Sequence, residues 1–283
     1  MAETPPVVLT IAGFDPSSGA GITADIKTIA AHGCYGVSCI TALTVQSTAG
    51  VRTVEPCNPK LVAETLRELW ADLEIRAVHL GMLGSGQIAE AVASFLEEYK
   101  PANVVLDPIL RSSSGAELLD ASGRQVLVER LLRLATVITP NVEEAAVLTQ
   151  LPVTNLAEMR VAAGRLHEMG AESVVVTGGH LDKAIDLLTF KTRRGIEQEV
   201  FKSEKRRSNS THGTGCAFAS AMACHLALER GLPEAVLLAK AYVTAAITRA
   251  QPLGKGVGPL HHLYRLDQQR RVPVASAEPE AVH

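Results

Sequence analysis

Short apolar runs alternate with amphipathic stretches between residues 7 and 179 of the chain. Several of these runs are bounded by glycine or proline, which is typical of strands buried on both faces. Strands that alternate with helices form βαβ units, so we predict a mostly parallel sheet with helices on both faces and right-handed crossovers. The predicted strands are 7–13, 77–83, 103–110, 135–141 (which runs into a helix) and 173–179, segment 37–48 is β-rich, and the predicted helices are 21–33, 61–73, 87–99 and 158–170.

The pattern changes after Gly179. Segments 184–190 and 197–204 flank an Arg-Gly turn and predict an antiparallel hairpin. Two more helices are predicted, at 215–230 and 232–250.

The chain shows no internal repeat and no Pro/Ser-rich linker. Its 283 residues suit one large α/β domain, which we expect over residues 1–271. The tail over residues 272–283 is small and polar, and we expect it to be disordered.

Composition narrows the class of partner. The net charge is -3 and only 4% of residues are aromatic, which disfavours a nucleic-acid partner that needs a basic, base-stacking surface. No apolar run reaches the roughly 18 residues of a membrane span, so no membrane partner is expected. One short basic cluster contains Lys202, Lys205, Arg206 and Arg207 and lacks interleaved aromatic residues.

The cysteines indicate a reducing compartment. Their number is odd and they are not closely paired, which argues against a disulfide framework, and none has zinc-site spacing with histidine. The acidic, proline-bearing N-terminus lacks the features of a signal segment, so we expect a cytoplasmic protein. The five cysteines are Cys34, Cys39, Cys57, Cys216 and Cys224.

Marked stretches follow five of the predicted strands. Ligands of an open parallel sheet bind beyond the carboxyl ends of its strands, so these stretches are expected to meet at one site. They are "AGFDPSSGAG" (12–21), "GMLGS" (81–85), "DPILRSSSG" (107–115), "TPNVEEA" (139–145) and "TGGH" (177–180).

The stretch "DPSSGAG" is compatible with a phosphate-binding loop and equally with a glycine-rich turn that caps a helix. It lacks the Gly-Lys-Ser/Thr of a P-loop, and no G-x-G-x-x-G follows the first strand, so a dinucleotide-binding fold is disfavoured.

Asn141 and Glu144 have the spacing of a helix capping box, in which the two side chains bond each other's backbone N–H groups. Near a strand end, Glu144 could instead hold Mg²⁺ through water. The two roles are compatible with each other.

The stretch "HGTGC" precedes a predicted helix. Its N–H groups and the helix dipole would stabilise an anion, and a cysteine there is expected to have a lowered pKa. Cys216 is therefore open to three interpretations: a base for a substrate hydroxyl, a nucleophile paired with His212, or a small core residue. Cys224, which lies among alanines in the same helix, is expected to be structural.

Eight ordered blocks together resemble the hydroxymethylpyrimidine/phosphomethylpyrimidine kinases of thiamine biosynthesis, within the ribokinase-like superfamily. They run from about Leu9 to His262 and are "TIAGFDPSSGAGITADIKT", "ITALTVQST", "GMLGS", "VVLDPIL", "ITPNVEEA", "GGH", "THGTGC" and "GKGVGPLHH".

The resemblance implies a three-layer α/β fold, usually found as a homodimer. It also implies two ATP-dependent reactions with Mg²⁺ in one site. The first phosphorylates the hydroxymethyl group of 4-amino-5-hydroxymethyl-2-methylpyrimidine, and the second converts the monophosphate to the diphosphate.

On the acceptor side, Gln46 matches the family's pyrimidine-binding glutamine, whose carboxamide offers a donor and an acceptor in one plane. Asp25 matches an acid that lines the same pocket. The matching pocket walls are Gly13, Ala20, Met82 and Ile109.

On the phosphoryl side, Gly213, Thr214 and Gly215 match the anion hole, and Cys216 stands where most of the superfamily has its aspartate base. The resemblance predicts that Cys216, as a thiolate, accepts the hydroxyl proton. Further residues match the Mg-ATP side: Asn141, Thr177, Lys255 and Gly256 for ATP, and Glu144 and Asp107 for Mg²⁺, through water.

Three positions depart from the family's pattern. Thr177 stands where many members have a lysine, Ser18 where glycine is common, and Ser210 where asparagine is frequent. The first departure bears on how the charge of the transferred phosphoryl group is countered.

Three alternatives remain open at this point. Pyridoxine/pyridoxal kinases form a neighbouring branch of the superfamily. A cysteine hydrolase would use Cys216 and His212, for which no third orienting group is evident. A catalytically inactive pyrimidine-binding protein would keep the fold without the reaction.

Overall fold

One nine-stranded sheet runs through the computed structural model, which describes residues 4–112, 114–179, 184–203 and 208–266. The strand order is β3-β2-β1-β4-β5-β6-β7-β8-β9. The six strands from β2 to β7 in this order pair in parallel, and β3, β8 and β9 are antiparallel. The strands are β1 (Val7–Phe14), β2 (Tyr35–Ser47), β3 (Gly50–Pro56), β4 (Ile75–Leu80), β5 (Val104–Leu106), β6 (Val137–Ile138), β7 (Ser173–Gly178), β8 (Ala184–Thr192) and β9 (Gly195–Ser203).

Helices cover both faces of the sheet. Successive strand residues point to opposite faces, and the alternation divides the interior into two apolar cores. In β1, Leu9 and Ile11 join the core beneath α2–α7, while Val8 joins the core beneath α8 and α9. The helices are α1 (Gly21–Ala31), α2 (Pro59–Asp72), α3 (Gly86–Tyr99), α4 (Ala121–Val126), α5 (Leu132–Leu134), α6 (Val142–Thr149), α7 (Leu156–Glu168), α8 (Thr214–Ala227) and α9 (Leu232–Thr248), and a π-helical turn (Leu127–Leu131) joins α4 to α5.

Polar side chains fix where several helices begin. Asn58, Ser85, Asp120 and Asn155 each accept a hydrogen bond from a backbone N–H in the first turn of α2, α3, α4 and α7. These bonds satisfy donors that lack a partner within the helix, which is worth about 1 kcal/mol at each cap.

The α/β fold with a mostly parallel sheet is confirmed, as is the hairpin that follows Gly179. The strand predicted at 103–110 is shorter, because β5 ends before Pro108, which has no N–H to donate to a neighbouring strand. The predicted tail at 272–283 and the end of the predicted domain at residue 271 lie outside the described residues.

Strand β3, helices α4 and α5 and the π-helical turn between these helices were not predicted. Strand β3 lies at the sheet edge and carries charged, mostly exposed residues, so it lacks the apolar signal of a buried strand. Helix α4 carries Gly123 in its first turn, and a Cβ there would lie 2.3 Å from a methyl carbon of Leu119. Close packing therefore requires a residue that weakens the helical pattern.

None of the helices in the described part of the chain combines the length and the apolar character needed to cross a lipid bilayer.

A buried ion pair ties α9 to the antiparallel end of the sheet. Lys240 Nζ lies 2.6 Å from Asp186 Oδ2, and the two side chains are 11% and 8% exposed. Asp186 Oδ1 also accepts a hydrogen bond from the Gly178 N–H, at 3.1 Å. Removing one member of such a pair leaves an uncompensated buried charge.

We therefore expect Lys240→Met to lower the free energy of unfolding by about 3–5 kcal/mol, measured by urea denaturation. Adding Asp186→Asn should restore at least about half of this loss, because asparagine is neutral and its oxygen still accepts from Gly178. The matched control is Lys191→Met, whose ammonium lies 4.0 Å from Glu172 at the surface and should cost less than about 1 kcal/mol. A double variant as unstable as the single one would contradict this interpretation.

Candidate active site

The N-terminus of α8 packs directly against the glycine-rich loop that follows β1. Gly213 caps the helix with φ +82, and a Cβ there would lie 1.9 Å from the backbone oxygen of Gly19. Only glycine permits both the left-handed backbone and this approach. No side chain caps the first turn, and Thr214 and Gly215 are accessible from solvent. The helix start is therefore suited to an anion.

Cys216 is the first buried side chain of α8 and is 8% exposed. Burial raises the pKa of this thiol well above its ordinary value of 9.0, and the charges of Asp25 and Asp107 raise it further. The Gly21 N–H donates to the sulfur but does not offset these effects. The expected lowering of the Cys216 pKa is thus wrong, because desolvation outweighs the helix dipole.

Two buried carboxyl groups follow β5 and β6, on the same side as the start of α8. Asp107 Oδ2 lies 3.3 Å from where a Cβ of Gly215 would stand. Burial, together with the charges of Glu144 and Asp25, raises the pKa of Asp107 well above its ordinary value. Burial also raises the pKa of Glu144 to about 7, although backbone N–H groups of Asn141 and Leu110 donate to it.

The capping box predicted for Asn141 and Glu144 is present. Asn141 Oδ1 accepts from the Glu144 N–H and Glu144 Oε2 accepts from the Asn141 N–H, both at 2.9 Å. Glu144 is also buried and its charge raises the pKa of Asp107, so the structure combines the cap with a carboxyl group within electrostatic reach of a second one.

Asp25 lies beneath the site, with no exposed surface. Its Oδ2 accepts from the Thr10 hydroxyl at 2.7 Å and its Oδ1 accepts from the Ser220 hydroxyl at 2.6 Å. His79 Nδ1 is 3.3 Å from Oδ2, and His79 Nε2 is buried without a hydrogen-bond partner. Sequence reasoning missed this polar cluster, for which "AVHL" (77–80), a histidine in an apolar strand, was the available signal.

Gln46 lies at the end of β2 beside His212 and Asp15. Gln46 Nε2 is 3.2 Å from His212 Nε2, which is 2.9 Å from Asp15 Oδ2. His212 has Asp15 as a carboxylate partner, but in the described part of the chain no hydrogen bond joins His212 to Cys216, so the contact between nucleophile and base that a Cys216–His212 hydrolase requires is not present. Burial alone would raise the pKa of Asp15, but hydrogen bonds from His212, Ser17 and Ala20 outweigh it and lower that pKa below its ordinary value.

Asp15 also shapes the glycine-rich loop. It accepts hydrogen bonds from the backbone N–H groups of Ser17, Gly19 and Ala20. Ser18 between them adopts φ 65, which explains why glycine is common at this position. Sequence analysis assigned no role to Asp15. The available signal was its position two to five residues before a run of small residues, because an aspartate can accept hydrogen bonds from the backbone N–H groups that follow it.

The expected pocket walls lie together. A Cβ on Gly13 would stand 2.8 Å from the sulfur of Met82. Met82 belongs to a small apolar cluster with Ala42 and Leu118, against which Ile109 packs. Ala20 lies in the loop that Asp15 holds, where its N–H donates to Asp15 Oδ2 at 2.9 Å.

The residues expected on the ATP side lie in two separate regions of the structure. Asn141 and Thr177 pair with each other where β6 and β7 end. Gly256 instead packs against Thr48 in the β2–β3 turn, to which its N–H donates at 3.2 Å, and the adjacent Lys255 is exposed. At position 177, where a lysine is common, the strand partner is Asp186, which already binds Lys240.

The chain resembles a known protein family and individual members of it. A family model described as phosphomethylpyrimidine kinase matches residues 15–261. The hydroxymethylpyrimidine/phosphomethylpyrimidine kinase of Salmonella typhimurium is 42% identical over 90% of this chain and 97% of the relative. The thiamine biosynthesis bifunctional protein ThiED of Geobacter sulfurreducens is 44% identical over 93% of this chain, which spans 53% of that relative.

Solved structures share the architecture and confirm the expected three-layer ribokinase-like fold. A phosphomethylpyrimidine kinase from Clostridium difficile 630 is 39% identical with a TM-score of 0.76, covering 86% of this chain and 99% of that one. The ADP complex of Bacillus subtilis pyridoxal kinase is 35% identical with a TM-score of 0.84, covering 93% and 100%. The family match extends over most of the chain, and this protein therefore belongs to the phosphomethylpyrimidine kinase family.

Proposed function

We propose that this protein transfers the γ-phosphoryl group of ATP to the hydroxymethyl group of 4-amino-5-hydroxymethyl-2-methylpyrimidine, and then to the resulting monophosphate. The observation that carries the proposal is the uncapped start of α8, which opens beside the two buried carboxyl groups of Asp107 and Glu144. Phosphoryl transfer needs donors for the phosphate oxygens, which the start of α8 offers, and a cation that neutralises their charge, which the two carboxyl groups would hold. The names of the relatives support the same reaction.

The acceptor is held between Gln46 and the apolar walls. The Gln46 carboxamide hydrogen-bonds the edge of the aminopyrimidine ring, and the ring lies against Gly13, Met82 and Ile109. Ala20 closes the pocket on the side of the glycine-rich loop. Asp25 acts from below, where its charge contributes to the raised pKa of Cys216.

The phosphoryl group is held by backbone N–H groups at the start of α8. Gly213 gives the turn its left-handed geometry, and the N–H groups of Gly215 and Cys216 are oriented toward the incoming oxygens. The Thr214 N–H donates to the Thr211 carbonyl oxygen at 3.3 Å and supports the turn instead. The Gly215 and Cys216 donors are fixed before the reaction, so they need no reorganisation as the phosphoryl group passes between oxygens.

Cys216 accepts the proton of the substrate hydroxyl late in the transfer. In a loose transition state the bond to the attacking oxygen is barely formed, so little positive charge builds on that oxygen and early proton removal is not required. The raised pKa of Cys216 means that the thiol is protonated at neutral pH before the acceptor and phosphates bind. The reactive thiolate is therefore a minor form whose population grows with pH.

ATP lies toward Asn141 and Thr177, with Lys255 and Gly256 near its base. Asp107 and Glu144 fit a Mg²⁺ site, since two buried carboxyl groups with raised pKa values are relieved by a cation. Within the described residues, no group of three or more His, Cys, Asp or Glu side chains forms a metal cluster. When bound, Mg²⁺ supplies positive charge at the phosphates.

The second candidate function is phosphorylation of pyridoxal. The likeness to Bacillus subtilis pyridoxal kinase, with a TM-score of 0.84, favours it. Both acceptors are heteroaromatic rings with a hydroxymethyl group, so one site could accept both.

The chain is proposed to act as a cytoplasmic homodimer. Leu43 and Val45 on β2 are 51% and 57% exposed, and they form an apolar surface beside the sheet edge that a second copy would cover. The five free cysteines suit a reducing compartment.

The decisive test of function is steady-state kinetics with three acceptors: the aminopyrimidine alcohol, its monophosphate and pyridoxal. We expect phosphorylation of the first two, with kcat/KM for the alcohol at least about tenfold above that for pyridoxal. Only the proposed reaction includes the second phosphorylation, so turnover of the alcohol without turnover of its monophosphate would contradict it. Binding of the alcohol with no turnover in Mg-ATP would identify a binding protein instead.

The base assignment predicts a pH dependence. Since the active form of Cys216 is deprotonated and its pKa lies above 9.0, kcat should rise with pH from 7 to 9 without reaching a plateau. Cys216→Ser should lower kcat by about a hundredfold, while Cys224→Ser, in the same helix, is the matched control. Turnover of the Cys216→Ser enzyme at the wild-type rate would remove Cys216 from this role.

The buried carboxyl group of Glu144 predicts that removing its charge raises stability and lowers activity. Glu144 has its pKa raised from 4.5 to about 7 on folding, so the folded protein binds more protons in this window and stability falls as pH rises through it. Glu144→Gln should therefore raise the free energy of unfolding at pH 8 by about 1–3 kcal/mol, because glutamine keeps the capping box without the buried charge. Its kcat with Mg-ATP should fall at least about tenfold.

The matched control is Glu143→Gln, since Glu143 is the exposed neighbour on the same turn. It should leave both quantities nearly unchanged. A Glu144→Gln variant that is less stable than wild type at pH 8 would show that the charge of Glu144 is compensated within the protein.

A further inference from the structure

The carboxamide of Gln46 has two polar neighbours whose protons can be counted. On one side, Gln46 Nε2 is 3.2 Å from His212 Nε2. On the other, Gln46 Oε1 is 3.2 Å from the Thr44 hydroxyl. The oxygen and nitrogen of a carboxamide occupy nearly the same volume, so these neighbours decide which end faces which.

His212 Nε2 must carry a proton. It lies 2.9 Å from Asp15 Oδ2, and Asp15 also accepts from three backbone N–H groups and from the Ser17 hydroxyl. So many donors, and the lowered pKa of Asp15, identify it as a carboxylate, which can only accept. With Nε2–H donated to Asp15, His212 has no lone pair there for an N–H of Gln46.

The Thr44 hydroxyl also lacks a proton for the hydrogen bond to Gln46 Oε1. Its hydroxyl has one proton, and the Phe14 carbonyl oxygen at 2.9 Å is nearer than Gln46 Oε1 at 3.2 Å. If the proton is donated to Phe14, the hydroxyl oxygen can only accept from Gln46. Rotating the carboxamide by 180° removes both conflicts. Oε1 then faces the Nε2–H of His212 as a second, longer acceptor of the proton donated mainly to Asp15, and Nε2 donates to Thr44.

We propose that the Asp15–His212 pair locks the Gln46 carboxamide with Oε1 toward His212 and Nε2 toward Thr44, and thereby determines which acceptor ring the site selects. Asp15 and His212 are positioning residues here, and they act through Gln46. The proposal rests on the proposed function in one respect, namely that Gln46 contacts the acceptor ring.

A locked carboxamide distinguishes two rings of the same shape. The aminopyrimidine presents a ring nitrogen that accepts next to an amino group that donates. In the analogue with an oxo group in place of the 4-amino group, the oxygen accepts and the neighbouring ring N–H donates. A fixed carboxamide that matches the first pattern opposes the second pattern at both positions. A carboxamide that rotates freely by 180° can match either ring. Each buried mismatch lowers binding on the order of tenfold or more.

The test is the ratio of kcat/KM for the amino alcohol to that for the oxo analogue. We expect a ratio of about a hundred or more in the wild type, and a fall of at least about tenfold in Asp15→Asn and in His212→Phe, through KM for the amino alcohol. Asparagine no longer requires a proton on His212 Nε2, and phenylalanine removes that nitrogen while keeping a planar ring. Gln46→Ala should lose the discrimination altogether.

Ser17→Ala is the matched control, because it removes one hydrogen bond to Asp15 Oδ1 and leaves the contact between Oδ2 and His212. Its ratio should stay at the wild-type value. Equal losses for both acceptors in Asp15→Asn and His212→Phe, with the ratio unchanged, would overturn the proposal. A ratio that falls as far in Ser17→Ala would also overturn it, because the loop alone would then explain the effect.

A second measurement does not depend on turnover. In the full-length wild-type protein with ¹⁵N-labelled histidine, a long-range ¹H–¹⁵N spectrum should show His212 with a proton on Nε2, assigned by its loss in His212→Phe. An unprotonated Nε2 would overturn the proposal. If the wild type failed to phosphorylate the amino alcohol, the proposed function would fail while this spectroscopic result stood.

Discussion

The site depends on one close backbone contact, between Gly213 at the start of α8 and Gly19 in the loop after β1. The left-handed φ of Gly213 and its missing side chain let the two segments meet, with a Cβ position only 1.9 Å from the Gly19 oxygen. Asp15 stabilises the same junction, because it accepts from the loop on one side and from His212 on the other. The loop beside the proposed acceptor pocket and the proposed anion site at the start of α8 are thus held together.

The second constraint is electrostatic. Asp25, Asp107, Glu144 and Cys216 are all buried, and the charges of the first three raise the pKa values of their neighbours. Acidic groups held together in a low-dielectric interior destabilise one another when ionised. Positive charge brought with a bound nucleotide would relieve this repulsion. Perturbed groups of this kind concentrate where chemistry occurs.

The sequence was sufficient for features that depend on local chemistry. The alternation of apolar runs predicted the parallel sheet, the Arg-Gly turn predicted the hairpin, and the spacing of Asn141 and Glu144 predicted the capping box. It was insufficient where distant segments meet. The pKa of Cys216 was assigned the wrong direction because the helix start is visible in sequence, whereas burial beside Asp107 is a tertiary property. The environment of Asp25 was hidden for the same reason, since its partners lie 15 to 195 residues away.

Fold likeness alone does not decide the acceptor. The chain superposes on a pyridoxal kinase with a TM-score of 0.84 and on a phosphomethylpyrimidine kinase with 0.76, so backbone shape is shared by enzymes named for different substrates. What separates two planar rings of similar size is the order of donors and acceptors along one edge. A site that leaves buried polar groups unpaired with the wrong ring discriminates more strongly than apolar walls can. Within the pocket, Gly13, Met82 and Ile109 can only exclude by size, so selection of the ring falls to Gln46 and to the proton that Asp15 holds on His212.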